Sequence, residues 1–160
     1  MILPALTLTQ PWATLVALGA KRIETRDWPA PPYLANRRLA IHAGKNLGPV
    51  HGMRGLKAQV AQEPFRFALL NPKTPYLQAS DLPRGVVLGT VVVKACVPTE
   101  QVVEALTGGA RPAWLEAGVH ELSFGNYDEG RWAWCFSDLE VYDEPVPAVG
   151  HQKVWTWRTP

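Results

Sequence analysis

QPWATLVALGAKRIETRDW, residues Gln10–Trp28, holds a helix, a stop and a charged strand in nineteen residues. Pro11 has no backbone N–H, so it suits a first helical turn, where donors lack partners anyway. Thr9 or Gln10 then falls at the cap, and Thr9 is the better capping type. Trp12, Leu15, Val16 and Leu18 recur at helical spacing, which predicts a helix over Gln10–Leu18. Gly19 ends it, because glycine takes the left-handed conformation without a side-chain penalty. Ile23–Trp28 then reads as a strand. Alternation puts Glu24, Arg26 and Trp28 on one face and Ile23 and Thr25 on the other. Lys21 is expected at the entrance to the Glu24 face. A lysine, a carboxylate, an arginine and aromatic rings beside a helix form an arrangement for a polar ligand.

Outward from this stretch, Ala5–Thr9 reads as a first short strand and Arg38–His42 alternates like another. Val50, Met53, Leu56 and Val60 predict a helix over Gly48–Gln62, weakened by its glycines. Glu63–Pro83 is punctuated by prolines and reads as a long surface connection. Gly85–Val97 is valine-rich and reads as a strand covered on both faces. Thr99–Leu106 reads as a short helix capped by Thr99. Gly108–Asp128 is loop-like, with one turn around Trp114. Arg131–Tyr142 and Val154–Arg158 complete the strands. Trp132 and Trp134 share one strand face, and Trp155 and Trp157 share another. One tryptophan of each pair is expected to fill the interior. Five or six strands with two or three helices predict an α+β fold, with a small mixed sheet closing toward a barrel.

The 160 residues suit a single domain spanning 1–160, since domains run to roughly 100–200 residues. The net charge of +2 permits a nucleic-acid partner without demanding one. The longest apolar block, Gly85–Val97, is interrupted by Thr90 and Lys94 and is too short to span a membrane. No export signal is read at the N-terminus, so a cytoplasmic location is expected. Cys96 and Cys135 are expected as reduced thiols inside apolar strands, with a disulfide open if those strands are neighbours. His42, His51, His120 and His151 show no metal-ligand spacing, and two isolated cysteines make no zinc site. No phosphate-binding glycine loop and no nucleophile elbow occur, so neither metal nor cofactor is expected.

Gln10-Pro11-Trp12-Ala13, Gly19-Ala20-Lys21-Arg22-Ile23-Glu24-Thr25-Arg26 and Trp28 resemble the ASCH domain family, named for homology to an activating signal cointegrator. The family pattern G-x-K-x-x-E-x-R is met by Gly19, Lys21, Glu24 and Arg26. Leu39–Ala43 with Lys45, Val87–Val91 with Val97, Gly130–Trp134, and Gly150–Gln152 with Trp155 extend the resemblance over most of the chain. It implies a PUA-like β-barrel, an RNA-binding fold found in coactivator or translation-related settings. One branch of the family hydrolyses the amide of N4-acetylcytidine with a lysine, a threonine and a distant glutamate. Lys21 matches that lysine. Glu24 stands at the threonine's place, while Thr25 turns to the opposite strand face.

The expected ligand-binding residues are Gln10, Trp12, Lys21, Glu24, Arg26, Trp28, His42, Lys45 and Gln152. A carboxylate accepts from the exocyclic amine of a base. Arg26 and Lys21 suit phosphate or a carbonyl oxygen. Trp12 or Trp28 offers a stacking surface, a contact worth roughly 1–3 kcal/mol per base. The leading expectation is a module that binds RNA, another single-stranded nucleic acid or a modified nucleoside. The alternative is an amidohydrolase acting on an acylated nucleobase, with Glu24 as general base and Lys21 as oxyanion partner. A third is a protein-interaction module. Glutamate at position 24 favours binding over a covalent threonine route.

Overall fold

A computed structural model describes residues 1–47 and 52–160. The strands are β1 (Ile2–Leu8), β2 (Ile23–Arg26), β3 (Arg38–Ala43), β4 (Val86–Pro98), β5 (Trp132–Pro147) and β6 (Val154–Arg158). The helices are α1 (Trp12–Ala17), α2 (Gly52–Val60), α3 (Phe65–Leu69) and α4 (Thr99–Thr107). The fold is α+β, built on one six-stranded sheet of order β2-β5-β4-β3-β1-β6. β1 and β3 run parallel, and the other pairs are antiparallel.

The expected barrel is not closed. β2 and β6 are the ends of the sheet, and four-residue β2 pairs with Ile23–Arg26 against Trp132–Cys135 only. The β4–β5 ladder shifts register at three places, and such bulges bend a strand and increase its twist. The sheet curls far enough for the Arg26 guanidinium on β2 to reach the Thr7 carbonyl on β1 at 3.1 Å. A side chain thus spans the gap that a ladder would have closed. Gly89 sits at one of these shifts because a Cβ there would lie 2.1 Å from the Glu140 carbonyl oxygen.

The concave face holds the main core. Leu6, Leu8, Leu39, Ile41, Leu88, Trp134 and Phe136 pack there under Ala13 and Val16 of α1. Leu15, on another side of α1, meets Leu56 and Val60 of α2, Leu69 of α3 and Phe124. The Glu63–Pro83 segment is therefore more than a surface connection. It carries α3 and buries Leu69, Ala79 and Leu82 in that second cluster. Val50 and the start of the helix expected at Gly48 lie outside the described residues.

α1 follows expectation in place, with Gly19 at φ +73° ending it. Its first turn is satisfied by Gln10, not Thr9: the Gln10 Oε1 accepts the Thr14 N–H at 3.2 Å. α4 is preceded by Pro98 at the cap position, and Thr99 instead donates its hydroxyl to the Asp128 carbonyl at 2.9 Å. That bond ties α4 to the segment entering β5.

Alternation places the tryptophans on different faces. Trp134 fills the main core, with Trp132 packed at its border. Trp157 packs on the opposite, convex face with Ala5, Ala40 and Val87, and Trp155 lies against that cluster. Neither tryptophan of β6 enters the concave interior. Cys96 packs against the main core and Cys135 lies in the cluster under α4, so the two thiols sit on opposite faces of adjacent strands and are free. Cys135 is fully buried, while Cys96 is only partly so.

Candidate functional site

α1 and β2 position the first group of side chains. Glu24 faces the concave side opposite Trp134 in the ladder. Its Oε1 lies 3.1 Å from Arg26 Nε, and its Oε2 lies 3.5 Å from Lys21 Nζ. The Arg26 Nε contact is an ion pair without hydrogen-bond alignment, because that buried N–H has no directed acceptor. Proximity sustains the attraction between the charges, whereas a hydrogen bond also needs direction. The Glu24 side chain keeps 12% of its surface exposed and Arg26 keeps 26%.

Lys21 is not at the entrance to this face. It is 1% exposed and lies behind Glu24. Its ammonium donates to the Phe124 carbonyl and sits 5.5 Å from the centre of the Trp12 ring, within cation–π range. Trp12 also receives the edge of Phe65 at 5.6 Å. Trp28 is half-buried, stands edge-on to Trp134 at 4.8 Å, and accepts the Trp134 indole N–H through its carbonyl. Thr25 turns away from Glu24, and its hydroxyl accepts the Asn126 N–H at 3.1 Å.

The segment that closes over Lys21 comes from the Gly108–Asp128 region. Glu121 is 2% exposed, and its carboxylate accepts N–H groups from Arg22 and Ile23 at 2.9 Å and from Gly118 at 2.8 Å. Burial pushes its carboxyl up, against the opposing pull of these N–H groups and of the Lys21 charge. Tyr127 is a second contributor missed in the sequence. Burial first, and then the charges of Glu121, Cys135 and Glu24, push its phenol far up, and its hydroxyl has no described partner. Neither residue carries a periodic or motif signal, because both act across a loop.

The remaining expected site residues lie elsewhere. Gln10 is buried, and both ends of its amide are engaged, with its nitrogen donating to the Pro83 carbonyl at 2.6 Å. It braces α1 and has no surface left for a ligand. His42, Lys45 and Gln152 gather on the other side of β1. There Thr7 and His42 point to the convex face and, with Thr9, Gly44, Lys45, Asn46 and the loop before β6, line a cleft of 600 Å³. The expected site residues therefore divide between two faces. The Thr7 residue joins them: its carbonyl holds Arg26, and its hydroxyl lies 3.1 Å from His42 Nδ1.

His42 forms the cleft wall. Its Nε2 is 3.1 Å from the Ala148 carbonyl, so that nitrogen carries the proton and Nδ1 accepts from Thr7. The Thr7 oxygen in turn accepts the Trp155 indole N–H at 3.0 Å. Burial pushes the His42 ring below its ordinary range, with the Ala148 carbonyl opposing and His151 adding to the shift. The folded ring therefore takes up its proton at lower pH than the unfolded one. Stability is complete above the unfolded value of about 6.5 and falls as pH drops below it toward the folded value. Urea midpoints measured at pH 7.5 and pH 5 should fall further in the wild type than in His42→Gln.

The ASCH domain family model matches residues 6–142. The chain belongs to the ASCH domain family. The ASCH protein of Zymomonas mobilis has a crystal structure similar to this fold, with TM-score 0.53 and 15% identity over 97% of this chain and 87% of that one. A serine-to-alanine variant of that protein aligns at TM-score 0.46, with 17% identity over 90% of this chain and 72% of that one. Comparison with curated proteins gives no match. In this ASCH domain no helix among the described residues is long and apolar enough to cross a membrane. No cluster of three or more potential metal ligands occurs among the described residues.

Proposed function

We propose that this ASCH domain binds RNA or a modified nucleoside on the concave face of β2. The observation that carries the reading is Glu24, held through one oxygen by Lys21 and through the other by Arg26, yet still reaching solvent. Two charged neighbours fix the carboxylate, and its remaining lone pairs can accept from an exocyclic base amine. Arg26, a quarter exposed, supplies the cation for phosphate. Trp28, two residues beyond β2, and Trp132, the ladder partner of Arg26, are half-buried rings at the end of this strand.

Binding ranks ahead of hydrolysis because Lys21 is already engaged by the Phe124 carbonyl, Glu24 and the Trp12 ring. An oxyanion partner needs donors free to meet the developing charge. Fluorescence anisotropy with a single-stranded RNA oligonucleotide tests the reading. Arg26→Ala should weaken binding by about tenfold, as expected for loss of a charge-assisted contact. It should also lower the salt dependence of binding. Equal affinity in both proteins would remove the assignment. Turnover of N4-acetylcytidine that disappears in Glu24→Gln would instead establish the amidohydrolase.

A further inference from the structure

The cleft behind β1 has a chemical character of its own. Thr9, Lys45, Asn46, His151 and Gln152 converge on it, and none of their side chains has a hydrogen-bond or ion-pair partner among the described residues. Among the described residues no carboxylate lines it, and Lys45 is its one lysine or arginine, so the electrostatic preference is for an anion. The volume of 600 Å³ is far more than a small inorganic anion needs, and falls within the roughly 300–1,000 Å³ of small-molecule sites.

The walls are built rather than incidental. The Thr7–His42–Trp155 chain uses both imidazole nitrogens and fixes one side. Gly150 seats the opposite loop directly on His42: a Cβ there would lie 2.4 Å from His42 Cε1 and 2.8 Å from the Thr7 hydroxyl. The Lys45 stem lies across Gly85, where a Cβ would come within 2.8 Å of Lys45 Cε and where φ is +70°. Its ammonium is therefore carried on a packed stem. Arg84 donates to the Lys45 carbonyl at 3.3 Å and adds a second cation to the adjoining surface. Asp81, the carboxylate of that adjoining cleft, is engaged by the Leu77 and Gln78 N–H groups.

We infer that this cleft binds a nucleotide through its phosphate, with Lys45 on the phosphate and the Asn46 and Gln152 amides toward the base. Amide side chains present both donors and acceptors and so match a base edge, whereas a phosphate alone would leave them unused. The cleft lies on the convex face, apart from the Glu24 face.

Calorimetric titration of the full chain with cytidine 5′-monophosphate, cytidine and inorganic phosphate tests it. The nucleotide should bind about tenfold tighter than the nucleoside, the gain of one charge-assisted contact. Lys45→Ala should reduce the nucleotide to the affinity of the nucleoside, and Gln152→Ala should weaken both. The Lys45-dependent gain of nucleotide over nucleoside should persist in Glu24→Gln, whose side chain touches Lys21 and Arg26 and not the cleft, which separates this site from the RNA face. An RNA oligonucleotide bearing a 5′ phosphate that shows the same gain over its 5′-hydroxyl form would assign the cleft to strand ends. A gain confined to the mononucleotide would assign it to free nucleotides. Equal binding of nucleotide and nucleoside, or nucleotide binding unaffected by Lys45→Ala, would overturn the inference.

Discussion

Glu121→Ala should destabilise the protein by about 3–5 kcal/mol, a large part of the roughly 5–15 kcal/mol that holds a domain folded. Three backbone N–H groups from two parts of the chain end on this one carboxylate: those of Arg22, Ile23 and Gly118. Alanine strands all three in a site that is 2% exposed in the wild type. Each buried donor left without a partner costs about 1–3 kcal/mol. Glu121→Gln keeps the shape but turns an NH2 group toward N–H donors, so it should recover only part of the loss. Denaturant unfolding of the three proteins measures this. If Glu121→Ala unfolds within about 1 kcal/mol of the wild type, the carboxylate is not the tie between β2 and its covering segment.

Lys21→Met should cost a comparable amount, about 3–5 kcal/mol, although methionine approximates the stem in size and is apolar. The loss comes from what the ammonium leaves behind. Glu24 retains Arg26 alone, and the Phe124 carbonyl loses its donor. A buried pair broken on one side leaves an uncompensated charge. Lys21→Arg should not restore stability, because a planar fork requires more room than a single ammonium. Equal thermal midpoints for Lys21→Met and the wild type would show that the cluster contributes nothing to folding. Lys21 substitutions are accordingly poor probes of ligand binding, and Arg26, at 26% exposure, is the better one.

The Gln10–Trp28 stretch was legible because local rules govern it. Helical spacing, a glycine stop and strand alternation depend on neighbours in the chain, and they locate α1 and β2, each shorter than the expected Gln10–Leu18 and Ile23–Trp28, and turn Glu24 and Thr25 to opposite faces. Lys21 was misplaced because lysine is almost never fully buried. Its burial depends on Phe124, which lies 103 residues away. Glu121 left no trace for a similar reason: a carboxylate that serves backbone N–H groups needs no motif around it. Gln10 reads as a polar site residue by type, but its partner Pro83 is known only once the chain has folded. Barrel closure depends on whether the terminal strands meet, and no pattern within either strand encodes that. The division of His42, Lys45 and Gln152 from Glu24 and Arg26 follows from the parity of β1 and β3, where Thr7 and His42 face opposite to Leu6 and Ile41.

The concave β2 face is proposed as the surface that meets RNA or a modified nucleoside. Amide and indole chemical-shift mapping on nitrogen-labelled protein, titrated with a single-stranded RNA oligonucleotide, tests it most directly. The largest shifts are expected at Glu24, Arg26 and the Trp28 indole, and in Arg26→Ala those at Glu24 and Trp28 should need about tenfold more RNA to reach the same size. Shifts confined to α4 or the β6 edge, or none at saturating RNA, would contradict it.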